Sequence, residues 1–520
     1  MKDTQYDVAI IGLGPVGATA AILFAEAGLN VVAIERDLEV YKLPRAVNLD
    51  GEILRAFQSI GRADEVDTLL QTVRSGDRGG FANSKREWMF GIEFKDFGPN
   101  GWQPNNMFDQ PEFESYLRTN AVDHPNVTAF IGMEAISFRD GSTAVEILVN
   151  NIQQPREEFH VRARYLLACD GAASPTRKAL GIEWHDLGYD HEWLVVDVTT
   201  FSGHTLTNDT IQVCDPDRIS TYVATKDPYR RWEFKLLPGE TKEEMLDPEK
   251  IMTLIDAWTP RGTYEIRRAA VYQFHAATAE TWRVGNVFVA GDAAHQTPPF
   301  LGQGMNAGMR DVINLAWKLA LVCDGVADEK LLDSYEQERT AHATDLVEWA
   351  VAIGRLMEHQ AAIEMAQRRG KPPPATPAAL KSSGYGQGRE SPPIRAGVLQ
   401  LDQISDTGST GYLFSQPTVT TREGQTHKLD ALLGSGFALV YRGDLSLDEH
   451  SKRLISRLDI RLLNIEKLNE QRGHFDNVFK ENRCALIRPD RIVYGHTTAT
   501  VDENDLLADL EQQLLLVPLA

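Results

Sequence analysis

A chain of 520 residues is too long for one compact core, and ordinary domain sizes divide it into about two to four. Its 42% hydrophobic and 24% charged residues are those of a globular protein with sizeable cores, and a net charge of -21 repels nucleic acid and anionic membrane surfaces alike. No apolar run approaches the ~18 residues that cross a bilayer, and MKDTQYDVAI passes from a polar start into a strand-like segment, so a cytoplasmic location is expected. Cys169, Cys214, Cys323 and Cys484 lie far apart, with neither a CxxC pair nor metal-ligand spacing, so no disulfide framework and no metal site are expected.

Residues 6 to 35 read strand, glycine turn, helix, strand: YDVAII, GLGPVG, an alanine-rich apolar stretch to Gly28, then NVVAIE. Gly12, Gly14 and Gly17 form GxGxxG at the turn. The first permits the tight bend, the second lets a pyrophosphate approach the backbone, and the third lets helix and strand pack closely. Pro15 suits the first helical turn. Glu35 ends the second strand, where a carboxylate accepts hydrogen bonds from an adenosine ribose. The glycines alone are a weak signal. Their strand, helix and acidic residue together predict dinucleotide binding, without separating NAD from FAD.

VRARYLLAC (161 to 169) and NVFVA (286 to 290) read as buried strands of the same sheet, each ending at an Asp-Gly or Gly-Asp pair. The first continues into CDGAASPTR. Between them, residues 187 to 236 alternate as strands, with EWLVVDVTTF and RRWEFKLL predicting a separate sheet. Tyr189, Trp193, Tyr222, Trp232 and Phe234 read as packing within that sheet.

Residues 291 to 319, GDAAHQTPPFLGQGMNAGMRDVINLAWKL, separate the cofactors. Asp292 follows a strand and suits the ribityl hydroxyls of a flavin, for which a nicotinamide dinucleotide has no counterpart. Gly302 and Gly304 open a helix whose N-terminal amides and dipole stabilise negative charge on reduced flavin. His295 reads as structural. Helical patterns continue to about 367, residues 370 to 397 are dense in Pro, Gly and Ser, and residues 428 to 520 alternate as a small α/β domain. GSGFAL (434 to 439) lacks the spacing of a second GxGxxG, so the nicotinamide is expected to visit transiently.

These GxGxxG, DG and GD strings resemble those of the class A flavoprotein aromatic hydroxylases, and PPFLGQGMNAGMRD, RRWEF and TGYLFSQP are most similar to the 3-(3-hydroxyphenyl)propionate hydroxylase group within that family. The resemblance implies an α/β fold. A Rossmann-like FAD-binding domain is expected over 1–186 and 275–369, an inserted β-sheet substrate domain over 187–274, a linker over 370–427, and a thioredoxin-like C-terminal domain over 428–520. Lacking CxxC, that last domain is expected to be structural, with a homodimer as the candidate assembly.

The resemblance also implies roles. Arg36 lies near the adenosine half, Arg45 contacts the phosphates, and Gln110 sits near the ribityl and phosphate region. Asp170 and Asp292 are the motif aspartates, Met305 and Asn306 offer amides to the flavin pyrimidine, and Pro298 and Pro299 line its reactive face. Arg231 reads either as an active-site arginine holding the flavin inward or as a solvated surface charge. The chemistry implied is hydride transfer from NADH or NADPH to FAD, then O2 activation and hydroxylation of an aromatic small molecule. A substrate carboxylate would call on Arg218, Arg230 or Arg231. A flavin halogenase shares the fold but carries WxWxIP, absent here. A non-catalytic FAD-fold escort protein would not consume NAD(P)H.

Overall fold

The computed structural model describes residues 5–94, 98–154, 157–377, 391–405, 408–470, 473–479 and 482–518, so the middle of the expected linker lies outside the described residues. The N-terminal unit is strand Gln5–Ile11, helix Pro15–Glu26 and strand Val31–Glu35. The helix is alanine-rich because it is buried almost all round, and every residue of Val31–Glu35 is buried. Parallel pairing sets Val8 beside Val31 and Tyr165, Val31 beside Val127, and Leu166 beside Val287. Ile11, Glu35, Ala168 and Val289 therefore end on one edge of the sheet, where open α/β sheets take their ligands.

Helix Gly304–Cys323 packs on Pro15–Glu26 at close range. A Cβ on Gly308 would stand 2.7 Å from Val16 Cγ2 and 2.9 Å from Gly291 Cα, so this helix, the Gly-Asp turn and the glycine-turn helix meet at a point only glycine allows.

A second sheet has eight strands in the order 295–296, 264–279, 184–200, 229–235, 220–224, 210–213, 78–82 and 88–93. Its last two strands come from the stretch expected to belong to the first domain, and its long strands begin and end beyond 187 and 274. Arg78–Ala82 joins by parallel pairing, Thr210 beside Gly79 and Val213 beside Ala82, which a strand brought from far along the chain permits.

Alternation divides this sheet. Ile211, Val213, Tyr222, Ala224, Trp232 and Phe234 form a core with Ile251 and Ile255 of helix Pro248–Asp256. Thr210, Gln212, Thr221, Val223, Arg231 and Glu233 take the opposite face, towards the cavity described below. Tyr189 and Trp193 pack instead with Phe274 and Phe300.

The C-terminal part is a four-stranded sheet ordered 461–464, 438–441, 484–487 and 493–496, parallel in its first pair and antiparallel in the others, with helices Glu449–Arg457 and Glu503–Gln513 in a thioredoxin-like plan. It is bound to the rest through buried charge. Arg488 donates to both oxygens of Glu338 at 3.1 and 2.7 Å, and the same carboxylate takes Lys318 at 2.9 Å and Asn314 at 2.6 Å. Arg55 grips Asp430 at 2.6 and 2.7 Å. Among the described residues, no helix is long and apolar enough to cross a membrane, and no cluster of three metal-ligand side chains occurs.

Candidate functional site

Between the ligand edge of the parallel sheet and the polar face of the second sheet lies a cavity of about 1360 Å³. That exceeds the ~300–1,000 Å³ of one small-molecule site and leaves room for a dinucleotide and a second molecule. Every residue expected from the sequence to hold FAD or to face the flavin lines it except Pro298 and Asn306.

The three glycines of the first turn differ in what they serve. Gly12 has φ +94°, and a Cβ on it would stand 2.5 Å from Cys169 O; one on Gly17 would stand 1.9 Å from Gly12 O. Both are demanded by the fold. Gly14 precedes the helix, and a Cβ on it meets nothing within 4 Å, so it leaves open space where helix amides converge. Glu35 is buried, its carboxylate accepting from Leu13 N at 2.6 Å and Asp37 N at 2.7 Å, which aims it along the cavity wall. Arg36 stands exposed at the rim.

At the other end Asp292, between buried Gly291 and Ala293, is exposed on the cavity wall, and no described residue bonds its carboxylate. Burial raises its pKa, with His295 and Arg45 acting against that. Hydroxyl donors are what such a group lacks. Gly302, at φ +63°, turns the chain into helix Gly304–Cys323, whose first internal bond is Ala307 N to Gln303 O at 2.8 Å. The amides of Gly304, Met305 and Asn306 precede that bond.

Several residues stand differently from expectation. The Asn306 side chain is fully buried, accepting from Asp50 N at 3.2 Å and donating to Asn48 O at 3.1 Å and Gly302 O at 3.0 Å; it fixes the helix start and does not line the cavity. Pro298 is buried behind the turn that Pro299 presents. Asp170 spends its oxygens on Ser174 Oγ at 2.5 Å and Thr176 N at 2.9 Å. His295 pairs with Asp311 at 2.9 Å, and Asp311 also takes Gly291 N and Arg339 Nε, each at 3.0 Å.

Arg231 is no solvated surface charge. It is buried, bonds Asp197 at 2.7 and 3.2 Å, and donates to Arg45 O at 2.6 Å. Arg268 shares Asp197 at 3.3 Å and also reaches Pro44 O. Gln110 Oε1 meanwhile accepts from Arg45 N at 3.1 Å and Ala46 N at 2.7 Å. The loop carrying Arg45 is thus tied to the second sheet and to helix Gln110–Val122. Arg218 is committed to Glu240 at 2.8 and 2.6 Å, and Arg230 to Asp227 at 2.8 Å; neither lines the cavity. None of the three arginines considered for a substrate carboxylate is free to bind one.

Sequence reasoning missed Asp197, Arg268, Gln212, Thr221 and Glu233. The alternation of RRWEF carries the signal for Glu233, since it must share a face with Arg231. The others depend on partners from distant strands.

Residues 5–350 match the family model described as FAD binding domain, and residues 411–513 match one described as HcaD C-terminal domain. A protein of Klebsiella pneumoniae named 3-(3-hydroxy-phenyl)propionate/3-hydroxycinnamic acid hydroxylase is 33% identical over 447 residues, which are 83% of this chain and 77% of that protein. One of the same name from Burkholderia cenocepacia is 32% identical over 519 residues, 96% of this chain and 88% of its own. The ternary complex of aklavinone-11 hydroxylase with FAD and aklavinone superposes with a TM-score of 0.80 at 26% identity, covering 99% of this chain and 100% of that one. The flavin-dependent monooxygenase PieE in complex with FAD and substrate gives 0.81 at 19% identity over 99% and 100% of the two chains, a likeness of fold.

Proposed function

Because the chain belongs to the FAD binding domain family and is an FAD-dependent aromatic hydroxylase using NAD(P)H and O2, we propose that its substrate is a phenol, hydroxylated beside its hydroxyl group to give a catechol. The observation that carries this reading is a single cavity that joins the cofactor-type strand ends to a second sheet's polar face, with ring-sized apolar walls of Phe300, Leu301, Trp349 and Ile353. FAD, when bound, supplies hydride acceptance and oxygen activation. The open cradle at Gly14 and the unbonded Asp292 fit its pyrophosphate and ribityl groups.

In this reading Gly12, Gly14 and Gly17 shape the phosphate turn, Glu35 takes the ribose, and Arg36 flanks the adenosine half. Arg45 faces the phosphates, held there by Gln110 and Arg231, and Asp292 takes the ribityl chain. The amides of Met305 and Asn306 meet the pyrimidine ring, and Pro299 walls the reactive face while excluding water. The enzyme works in the cytoplasm, where reduced nicotinamide is available.

With Arg218, Arg230 and Arg231 all committed, a side-chain carboxylate adds little to recognition. Catechol formed per NAD(P)H should therefore be measured for 3-(3-hydroxyphenyl)propionate, its amide and 3-ethylphenol. All three should give catechol, with kcat/KM of acid and amide within about tenfold, or ~1.4 kcal/mol. An acid preferred more than a hundredfold refutes the weak-carboxylate part, and no catechol from any refutes the phenol reading.

A further inference from the structure

Glu233 sits in strand Tyr229–Lys235, is 4% exposed, and faces the cavity. It forms no hydrogen bond and no ion pair with any described residue. Its neighbour Asp197 takes both nearby guanidiniums, those of Arg231 and Arg268. Packing gives no reason for a carboxylate here. Its register partners are Val195 on one side and Thr221 on the other, and a buried acid without a donor is costly to keep.

Its position does give a reason. Glu233 pairs with Thr221 across one strand boundary, and Thr221 pairs with Gln212 across the next. Thr221 Oγ1 donates to Gln212 Oε1 at 2.6 Å, and Gln212 Nε2 reaches Phe300 O at 3.5 Å. A polar row thus runs across three strands from Glu233 to the Pro299–Leu301 turn. A ring lying along it can set its hydroxyl on Glu233 while an adjacent carbon faces that turn.

We propose that Glu233 is the catalytic base that accepts the proton of the substrate's hydroxyl group, an inference that rests on the phenol reading above. The phenol O–H bond breaks, its electron pair stays on oxygen and is shared with the ring, and the proton forms a new O–H bond on the Glu233 carboxylate. No electron leaves or enters in this step. The added electron density makes the adjacent carbon the better nucleophile for oxygen. Once the adjacent carbon carries the new hydroxyl group, its C–H bond breaks, the electron pair restores the aromatic ring and that proton leaves to solvent, while the former phenol oxygen takes its own proton back from Glu233, which ends as it began. Burial pushes this carboxyl up to about 7, with Arg231 and Arg268 opposing the rise and Asp197 adding to it. A base is most effective when its pKa lies near the working pH.

The test compares wild type, Glu233→Gln and Glu233→Asp as flavin-loaded enzymes. The substrates are 3-ethylphenol and a ring-fluorinated relative that keeps a hydrogen beside the hydroxyl and is already ionised at the assay pH. In the wild type, kcat/KM for catechol should rise with pH through about 7 as one proton leaves. Glu233→Gln should lose about a hundredfold or more in kcat on 3-ethylphenol, with its pH rise moved towards the ~10 of a free phenol. It should recover at least tenfold on the ionised phenol. A Glu233→Gln enzyme within threefold of wild type on 3-ethylphenol, or one that keeps the inflection near 7, overturns the proposal. Should that variant fail to hold flavin, Glu233→Asp decides: an inflection it does not move is equally fatal. A wild type that makes no catechol from any phenol removes the substrate reading and this role together, whereas an active wild type with an unaffected variant removes only the role.

Discussion

Gly14→Val separates what the fold needs from what the cofactor needs. Gly14 has φ -64° and ψ -178°, backbone values open to any residue, and its Cβ direction is empty to 4 Å. Valine is a poorer residue than glycine at a helix N-cap, by about 1 kcal/mol, and a stiffer unfolded chain returns about 0.4–1 kcal/mol of that. The apoprotein should then melt within about 3 °C of wild-type apoprotein. The branched side chain fills the space left for pyrophosphate. Loss of two charge-assisted hydrogen bonds at ~1.5–3 kcal/mol each weakens FAD by about a hundredfold or more. Flavin absorbance per protein after purification, a fluorescence titration for Kd and an apoprotein melt measure the three quantities. Gly17→Val is the contrast: its Cβ would lie 1.9 Å from Gly12 O, and the variant should not fold. Gly14→Val enzyme that binds FAD with wild-type affinity would show that the cradle is not the phosphate site.

Glu338→Ala strands Arg488 and Lys318 in the interior and should cost about 3–5 kcal/mol, read from urea unfolding. Burial alone would raise the Glu338 carboxyl, but Arg488 and Lys318 outweigh it and hold it at about 2 against an ordinary 4.5. Its stabilisation is therefore present above pH 4.5 and fades as pH falls towards 2, so acid unfolding of the variant should lose that component of its slope. Cys484→Ser should leave flavin reduction by NAD(P)H intact, because burial holds that thiol up at about 12 and the described residues place no second cysteine beside it; loss of reduction would give the C-terminal domain a redox role. Arg218→Ala should change KM for 3-(3-hydroxyphenyl)propionate less than threefold, since its partner is Glu240 outside the cavity; a hundredfold rise would make it the carboxylate site.

The glycine-turn end of the cavity was legible because its determinants are local. Each of GLGPVG and GDAAH follows a strand, turns on a glycine with positive φ and precedes or supports a helix, all within about a dozen residues. The substrate end was less so. RGGFA, two glycines in five residues, has weak strand character alone and becomes a strand only by pairing with Thr210–Val213 more than a hundred residues later. The fate of each arginine was hidden for a like reason. Asp197 is the partner of Arg231 on the neighbouring strand, Glu240 lies beyond the end of strand Tyr229–Lys235 while Arg218 precedes strand Ser220–Ala224, and no window of sequence contains both members of either pair in a recognisable spacing. What RRWEF did carry was the division of faces, with Arg231 and Glu233 opposite Trp232 and Phe234.

That division has an evolutionary consequence. Positions 210, 212, 221 and 223 meet the cavity, while 211, 213, 222 and 224 meet the core, so neighbouring codons answer to different selective demands. Exchanges at the first set alter the shape and polarity offered to an aromatic molecule at small expense in folding, whereas the second set is held by packing. A lineage built on this sheet can drift from one ring system to another through alternate residues of two short strands, without remaking the glycine-turn cradle across the cavity.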